Sequence, residues 1–242
     1  MVSYKEIEVY KPDGTKRSFE EIIKGKSIAV VGNAQSLFGR EYGQEIDSHD
    51  LVIRFNKFAP LYGNIDTSST HGNRVDIWAF WTVGGFIRTL QEAGTKRLND
   101  AFYKENILKI QMNNVNHFEA TRKHIKYTYP KLRFDILKKD VNKYSKFLKT
   151  NQRTRMDRKK HRPVIYQCSA GLMMLNWLYQ CDPKLVNIYG MDFKRTATFS
   201  EQDRHNQDVT NRIDHRCKHN YELEEIYVKA VILKSNNFSI KV

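Results

Sequence analysis

Three short stretches hold the residue types that could grip a phosphorylated ligand or move a proton. The first is Val31-Gly32-Asn33-Ala34-Gln35-Ser36-Leu37. Gly32 permits a tight turn and close approach of a ligand to the backbone. Asn33 offers an amide donor and acceptor without charge. This turn is not G-x-G-x-x-G, and it contains no Gly-Lys-Ser/Thr of the kind a Walker loop needs. The second stretch is Ser169-Ala170-Gly171, just before the apolar Leu172–Tyr179. Ser169 is placed to cap a helix there, and the N–H groups and dipole of such a helix start favour an anion. The plainer reading is that Ser169 is only a cap. The third stretch is His219-Asn220-Tyr221-Glu222-Leu223-Glu224. A histidine at a helix start is kept neutral by the positive dipole end, and a neutral imidazole is what a general base needs near pH 7. A lone histidine is more often structural, and His205 and His215 lie nearby.

Several chemistries are missing. Cys217-x-His219 and His215-x-Cys217 do not have zinc-ligand spacing. No D-x-D occurs, which argues against a divalent ion holding a diphosphate sugar. There is no G-x-S-x-G elbow, and no paired carboxylates announce a glycosidase.

The elements that must position these residues alternate along the chain. Ser27–Val31, Leu51–Asn56, Val75–Trp81, Ile107–Met112 and Leu132–Leu137 read as strands, with a helix-like His117–Tyr129 between the last two. The continuous apolar runs suit strands buried on both faces. Val164–Gln167, the helix Leu172–Tyr179, the turn at Asp182-Pro183 and the strand Leu185–Tyr189 form a strand–helix–strand unit, which implies a parallel right-handed crossover. A last helix is expected over His219–Leu233. Alternation of this kind defines an α/β domain with a doubly wound, mostly parallel sheet flanked by helices. Ligands in such sheets sit where strand order reverses.

The 242 residues carry 41 Lys+Arg against 27 Asp+Glu, a net of +14. Thr121–Pro163 alone holds 16 Lys/Arg and 3 Asp/Glu, a net of +13, so the remainder is close to neutral. Such a stretch fits contact with a polyanion or a solvated, lid-like insertion. Within it, Lys138–Lys149 could be a basic helix, and Thr150–Arg162 reads as a connector. No run of 18 apolar residues is present, and the first 26 residues lack the apolar core of a signal peptide. Cys168, Cys181 and Cys217 are too few and too irregular for a disulfide framework.

The order of the motifs resembles the animal-type sialyltransferases, glycosyltransferase family 29. Ile28–Asn33, then Tyr42-Gly43-Gln44-Glu45-Ile46-Asp47-Ser48-His49-Asp50, then Val52–Asn56, looks like the long sialylmotif over residues 27–81, with Gly72-Asn73-Arg74 resembling its close. Cys168-Ser169-Ala170-Gly171, Cys181-Asp182 and Ile188-Tyr189-Gly190 look like the short motif, and His219 with Glu224 matches the very short His-x4-Glu motif, within 164–225. Gly190-Met191-Asp192-Phe193 is also similar to bacterial family 42 enzymes. The resemblance implies one Rossmann-like, variant GT-A domain over residues 1–242 that moves sialic acid from CMP-sialic acid to a glycan hydroxyl, inverting the anomeric centre without a metal or other cofactor. It places Gly32, Asn33, Ser36 and Asn56 at the nucleotide, and Ser169, Ala170 and Gly171 against the CMP-sugar. It makes His219 the general base and His205, with His215 second, the helper of the leaving phosphate.

Two departures stand out. The family opens its long motif with a cysteine paired to one in the short motif. Ser27 stands here instead, which fits a reducing cytoplasm and an acceptor met at the inner face of a membrane, where the basic insertion could touch anionic lipid. Ala170 replaces a hydroxyl residue, which leaves room for another CMP-linked 2-keto sugar such as Kdo. An oligosaccharide or glycolipid acceptor is the expected partner, and nucleic acid is not. A reading from a different class is a non-enzymatic module binding RNA or acidic glycans through Thr121–Pro163.

Overall fold

The computed structural model describes residues 8–10, 16–56, 58, 66–80, 108–113, 135–138, 156–157, 162–163, 169–197, 213–214 and 219–241. The strands are β1 (Glu8–Tyr10), β2 (Lys16–Ser18), β3 (Ser27–Val31), β4 (Leu51–Phe55), β5 (Ile77–Phe80), β6 (Leu108–Asn113), β7 (Asp135–Lys138), β8 (Met156–Asp157), β9 (Arg162–Pro163), β10 (Leu185–Tyr189), β11 (Ile213–Asp214), β12 (His219–Asn220) and β13 (Phe238–Lys241). The helices are α1 (Phe19–Ile23), α2 (Gly43–Asp47), α3 (Ser68–His71), α4 (Ala170–Leu178) and α5 (Tyr221–Ala230).

Seven strands form one sheet in the order β13-β10-β3-β4-β5-β6-β7, and every neighbouring pair is parallel. The chain walks outward from β3 to β7, then returns to lay β10 on the other side of β3. Strand order therefore reverses between β3 and β10. In open α/β sheets the crevice beyond the carboxyl ends of two such strands is the usual ligand site. The apolar runs pack both faces, as parallel strands require. Ile28, Val30, Ile53, Phe55, Val186 and Ile188 point to one face and bury against α1, α4 and α5. Ala29, Val31, Val52 and Tyr189 point to the other, toward Leu37 and Ile46 of α2. That alternation is the two-residue period of a strand.

Strands β3, β4, β6 and β10 fall within a residue of the expected ranges, and β5 and β7 within about three. Val164–Gln167 and His117–Tyr129 lie outside the described residues. The basic stretch Thr121–Pro163 is not wholly an insertion: Asp135–Lys138 is β7, the edge strand of the sheet, and β8 pairs with β9 antiparallel. The rest of that stretch, including the expected helix beyond Lys138, lies outside the described residues. Cys181 is buried; Cys168 and Cys217 lie outside the described residues. Among the described residues, no helix is long and apolar enough to cross a membrane.

The Gly43–Asp50 string holds the sheet together. His49 is buried. Its Nδ1 lies 2.8 Å from the Glu45 carbonyl and its Nε2 3.0 Å from Asn187 Nδ2. A carbonyl can only accept and an amide NH2 can only donate, so the ring is the neutral Nδ1–H tautomer. Asn187 Oδ1 in turn accepts from Ser239 Oγ, which ties α2 to β10 and β13. Glu45 accepts from the Tyr189 hydroxyl at 2.8 Å; burial, then that carboxylate, pushes the phenol well above its usual range. Asp47 receives the amides of Asn73 and Arg74 at 2.7 and 2.9 Å. Asp50 accepts from both the amide and the hydroxyl of Ser27 at 2.8 Å, which joins the starts of β3 and β4.

Arg54 of β4 is 0% exposed. It donates to the carbonyls of Arg74 and His71, both at 2.6 Å, with Asp47 4.0 Å away. Burial lowers its pKa to about 10 against the pull of Asp47 and Asp76, so it remains a cation at neutral pH.

Candidate functional site

Four backbone amides beyond the end of β3 are held by the end of β10 and the loop that follows it. Gly32 N donates to Tyr189 O at 2.7 Å, Ala34 N to Gly190 O at 3.0 Å, and Gln35 N to Ala197 O at 2.8 Å. Ser36 N donates to Thr196 Oγ1 at 3.1 Å. A side chain at position 32 would run into Gly190 O and come within 2.6 Å of Met191 Cγ. The sequence reading gave Gly32 to close approach by a ligand. The nearest neighbours are the Gly190 carbonyl and the Met191 side chain, which leave no space for a side chain at position 32. The amides of Gly32, Ala34, Gln35 and Ser36 are thus taken by protein acceptors, unlike those of a Walker loop, which face a phosphate. The triplet Gly25-Lys26-Ser27 runs into the first residue of β3, at the opposite sheet edge, and is not a phosphate loop either.

What the turn does present is side-chain oxygen. Asn33 Nδ2 donates to Phe55 O at 3.1 Å, which fixes the amide orientation. Asn33 Oδ1 and Ser36 Oγ are then buried without a hydrogen-bond partner. Two buried polar atoms left unpaired are unfavourable unless a ligand or water meets them. Asn56 follows β4 with φ of 47°. Its amide donates to Ala79 O and its carbonyl accepts from Trp78 Nε1, both at 2.8 Å.

Helices α4 and α5 each lead into a strand running the opposite way, β10 and β13, so both helix starts lie at the carboxyl edge of the sheet. Ser169 caps α4: its Oγ accepts from Leu172 N at 3.2 Å. The helix accordingly begins at Ala170, two residues before the expected Leu172. Ser169 also donates through its amide and its hydroxyl to the two oxygens of Glu224, at 2.7 and 2.6 Å. Glu224 is 1% exposed and sits in the first turns of α5. This carboxylate joins the two helix starts. The Ser169 proton is committed to Glu224. The amides of Ala170 and Gly171, which lack intrahelical acceptors, remain at the helix mouth. A Cβ at Gly171 would collide only with the flexible end of Met191, the residue that also abuts Gly32. Gly32, Gly171 and Met191 therefore converge on one point.

His219 is not the first residue of the last helix. It lies in the two-residue strand β12, paired with Asp214 of β11, and Asn220 is the N-cap, accepting from Leu223 N at 3.1 Å. Helix α5 ends at Ala230, followed by a 3-10 turn over Ile232–Lys234. An asparagine oxygen satisfies the helix start better than a histidine ring, which moves His219 one step outside. The ring is half-buried, 5.7 Å edge-on from Tyr221. It keeps its place close to the α5 start that Glu224 ties to Ser169. His205 and His215 lie outside the described residues. Among the described residues, no group of three His, Cys, Asp or Glu side chains is arranged to hold a metal ion.

The sequence reading missed Asp192 and Arg195. Asp192, 6% exposed, accepts from the amides of Arg195 and Thr196 at 3.2 and 2.9 Å and from Thr196 Oγ1 at 2.5 Å. Arg195 reaches both oxygens of Glu225 on α5, at 2.8 and 3.0 Å. A non-glycine pair in left-handed backbone, Phe193 and Lys194 with φ of 56° and 63°, lies between them. Such residues cost about 1–2 kcal/mol each and persist only where surroundings hold them. The only signal in the sequence was the Gly190-Met191-Asp192-Phe193 string.

Comparison with known proteins defines the class. The family "Glycosyltransferase family 29 (sialyltransferase)" matches residues 16–234, and the chain belongs to it. The human CMP-N-acetylneuraminate-beta-galactosamide-alpha-2,3-sialyltransferase 1 is 49% identical over 49 residues, which cover 19% of this chain and 14% of that protein. The chicken enzyme of the same name is 45% identical over 49 residues, with the same coverage. The chain thus matches about one seventh of the length of these relatives. A crystal structure of a mammalian sialyltransferase in complex with Gal-beta-1-3GalNAc-ortho-nitrophenol superposes with a TM-score of 0.52 at 16% identity, over 92% of this chain and 71% of that one. That likeness is one of fold.

Proposed function

We propose that this chain transfers sialic acid from CMP-sialic acid to a hydroxyl of a glycan acceptor, as a metal-independent, inverting enzyme of variant GT-A type. The observation that carries the reading is the pair of unpartnered buried oxygens, Asn33 Oδ1 and Ser36 Oγ, at the β3/β10 reversal of a family 29 chain. Ser36 Oγ can donate and accept, and Asn33 Oδ1 accepts, which suits the hydroxyls of a ribose. Asn56 borders the same edge. A single phosphate would lie at the start of α4, facing the amides of Ala170 and Gly171 and the positive helix end. One phosphate carries less charge than a diphosphate, so dipoles and neutral donors suffice where other enzymes need a cation.

In the transfer, the acceptor oxygen forms a bond to the anomeric carbon and its proton passes to His219. The bond from that carbon to the phosphate oxygen breaks, and CMP leaves with the electron pair. His205 is the candidate to donate to that phosphate. Ser169 and Glu224 hold the two helix starts so that the leaving group and the base face one another. We extend the reading to a reducing compartment. It is supported by Ser27, which hydrogen bonds Asp50 where the family has a cysteine. The basic stretch Thr121–Pro163 would meet anionic lipid or the acceptor. A second reading keeps the chemistry and changes the sugar to Kdo or a similar 2-keto sugar, favoured by Ala170 in place of a hydroxyl.

Calorimetric titration with CMP, CDP and UDP, with and without EDTA, tests the donor site. CMP should bind best, and chelation should change nothing. Salt-sensitive polynucleotide binding with no uptake of CMP would replace the enzyme by a binding module. Release of CMP from CMP-sialic acid and CMP-Kdo over one acceptor would decide between sugars.

A further inference from the structure

We infer that Asp192, acting through Thr196, is a positioning residue that sets the shape of the Asn33–Leu37 turn and joins it to the helix behind His219. The inference rests on the donor-site reading above. Asp192 is an acceptor only, so the one proton of the Thr196 hydroxyl must point to it, at 2.5 Å. The lone pairs of that hydroxyl are thereby turned outward, and one of them receives Ser36 N at 3.1 Å. The direction of each hydrogen bond in the series Ser36 N–Thr196–Asp192 is fixed by the carboxylate at its end. With its amide held, Ser36 has one conformationally free group, Oγ, and that oxygen is the one left buried and unpartnered.

The same carboxylate takes the amides of Arg195 and Thr196, closing the left-handed Phe193-Lys194 step. Arg195 then grips Glu225 of α5. The helix that follows His219 and the turn that carries Asn33 are therefore joined through one loop, with Asp192 at its centre. Asp192 is spent on Thr196 and the backbone amides, so it acts through them.

The test compares Thr196→Val, Thr196→Ser and Asp192→Asn in the full chain by CMP calorimetry, thermal melting and steady-state transfer. Thr196→Val keeps the side-chain volume and loses the acceptor for Ser36 N. Its CMP Kd should rise about three- to tenfold, the range expected for one hydrogen bond. KM for the CMP-sugar should rise with it, while kcat at saturation stays near wild type. Thr196→Ser restores the oxygen and should bring Kd within about twofold of wild type. Asp192→Asn puts an NH2 against donors and should weaken CMP binding at least as much as Thr196→Val. A Thr196→Val protein that melts lower yet binds CMP like wild type would reduce the pair to a structural staple and overturn the inference alone. So would a Thr196→Ser protein as weak as the valine variant. Wild-type protein that takes up no CMP would overturn the functional reading, and the inference with it.

Discussion

Single residues at this site differ sharply in what they tolerate, and the reason is what stands beside them. Gly32 faces a backbone carbonyl that cannot move without opening the β3–β10 junction, whereas Gly171 faces the end of one methionine. Gly32→Ala should therefore destabilise the fold by about 1–3 kcal/mol or more, the range for overpacking. Gly171→Ala should lower Tm far less, because Met191 can change rotamer. Equal losses in denaturant melts would mean the two glycines are not distinguished by their neighbours. His219→Ala should keep CMP binding and lose transfer by a factor on the order of 10²–10⁴, the usual contribution of a general base; wild-type turnover would remove His219 from that role. The residue types at these positions were legible in the sequence because turn glycines and cap serines have few substitutes. What was not legible was which partner each one meets. Gly32 serves the protein backbone, and the Ser169 hydroxyl serves Glu224.

At the scale of elements, the two motifs that lie furthest along the chain meet through one carboxylate. Glu224 accepts from the amide and hydroxyl of Ser169 and is almost wholly buried, so hydrogen bonds to it are of the stronger, charge-assisted kind. Glu224→Gln should cost about 1–3 kcal/mol in urea unfolding. A double-mutant cycle of Ser169→Ala with Glu224→Gln should return a coupling of at least about 1 kcal/mol. A coupling near zero would mean that α4 and α5 are held by apolar packing alone. The central strands β3, β4 and β10 and helix α4 were readable because their sequences are mostly apolar. Helices α1, α2 and α3 and strand β13 were not read, since polar residues interrupt each of them and no continuous apolar run marks them. The position of α2 is decided by distant groups: His49, just after it, by Asn187, and Asp47 by the Asn73-Arg74 amides. The string Gly43–Asp50 announced a family through its residues, yet each polar side chain named above in it proves to serve the scaffold.

At the scale of the whole molecule, a buried histidine before β5 makes stability depend on pH. His71 is buried against Phe38, 5.2 Å between ring centres, with Thr70 Oγ1 2.6 Å from its Nδ1. Burial, and then the nearby Arg54 cation, lower its pKa from 6.5 to about 4. Between these values the unfolded chain binds a proton that the native ring refuses. Stability contributed by the neutral ring is present above pH 6.5 and is lost as pH falls through that window, at up to about 1.4 kcal/mol per unit. Urea midpoints measured from pH 7 to 4.5 should fall accordingly, and His71→Gln should flatten the slope. An unchanged slope would assign the acid sensitivity to carboxylates instead.

The adjacency of β3 and β10 has a consequence for how the protein comes into being. The turn bearing Asn33 takes its final form only against the Tyr189–Ala197 segment, which leaves the ribosome long after it. Strand β3 must wait, its inner edge open, while β4 to β7 are synthesised and laid down on the other side. Late closure of so distant a parallel pair is slow, and an unfilled apolar edge invites aggregation meanwhile. A growing polypeptide halted before Leu185 should therefore hold most of its sheet and have no place for a nucleotide.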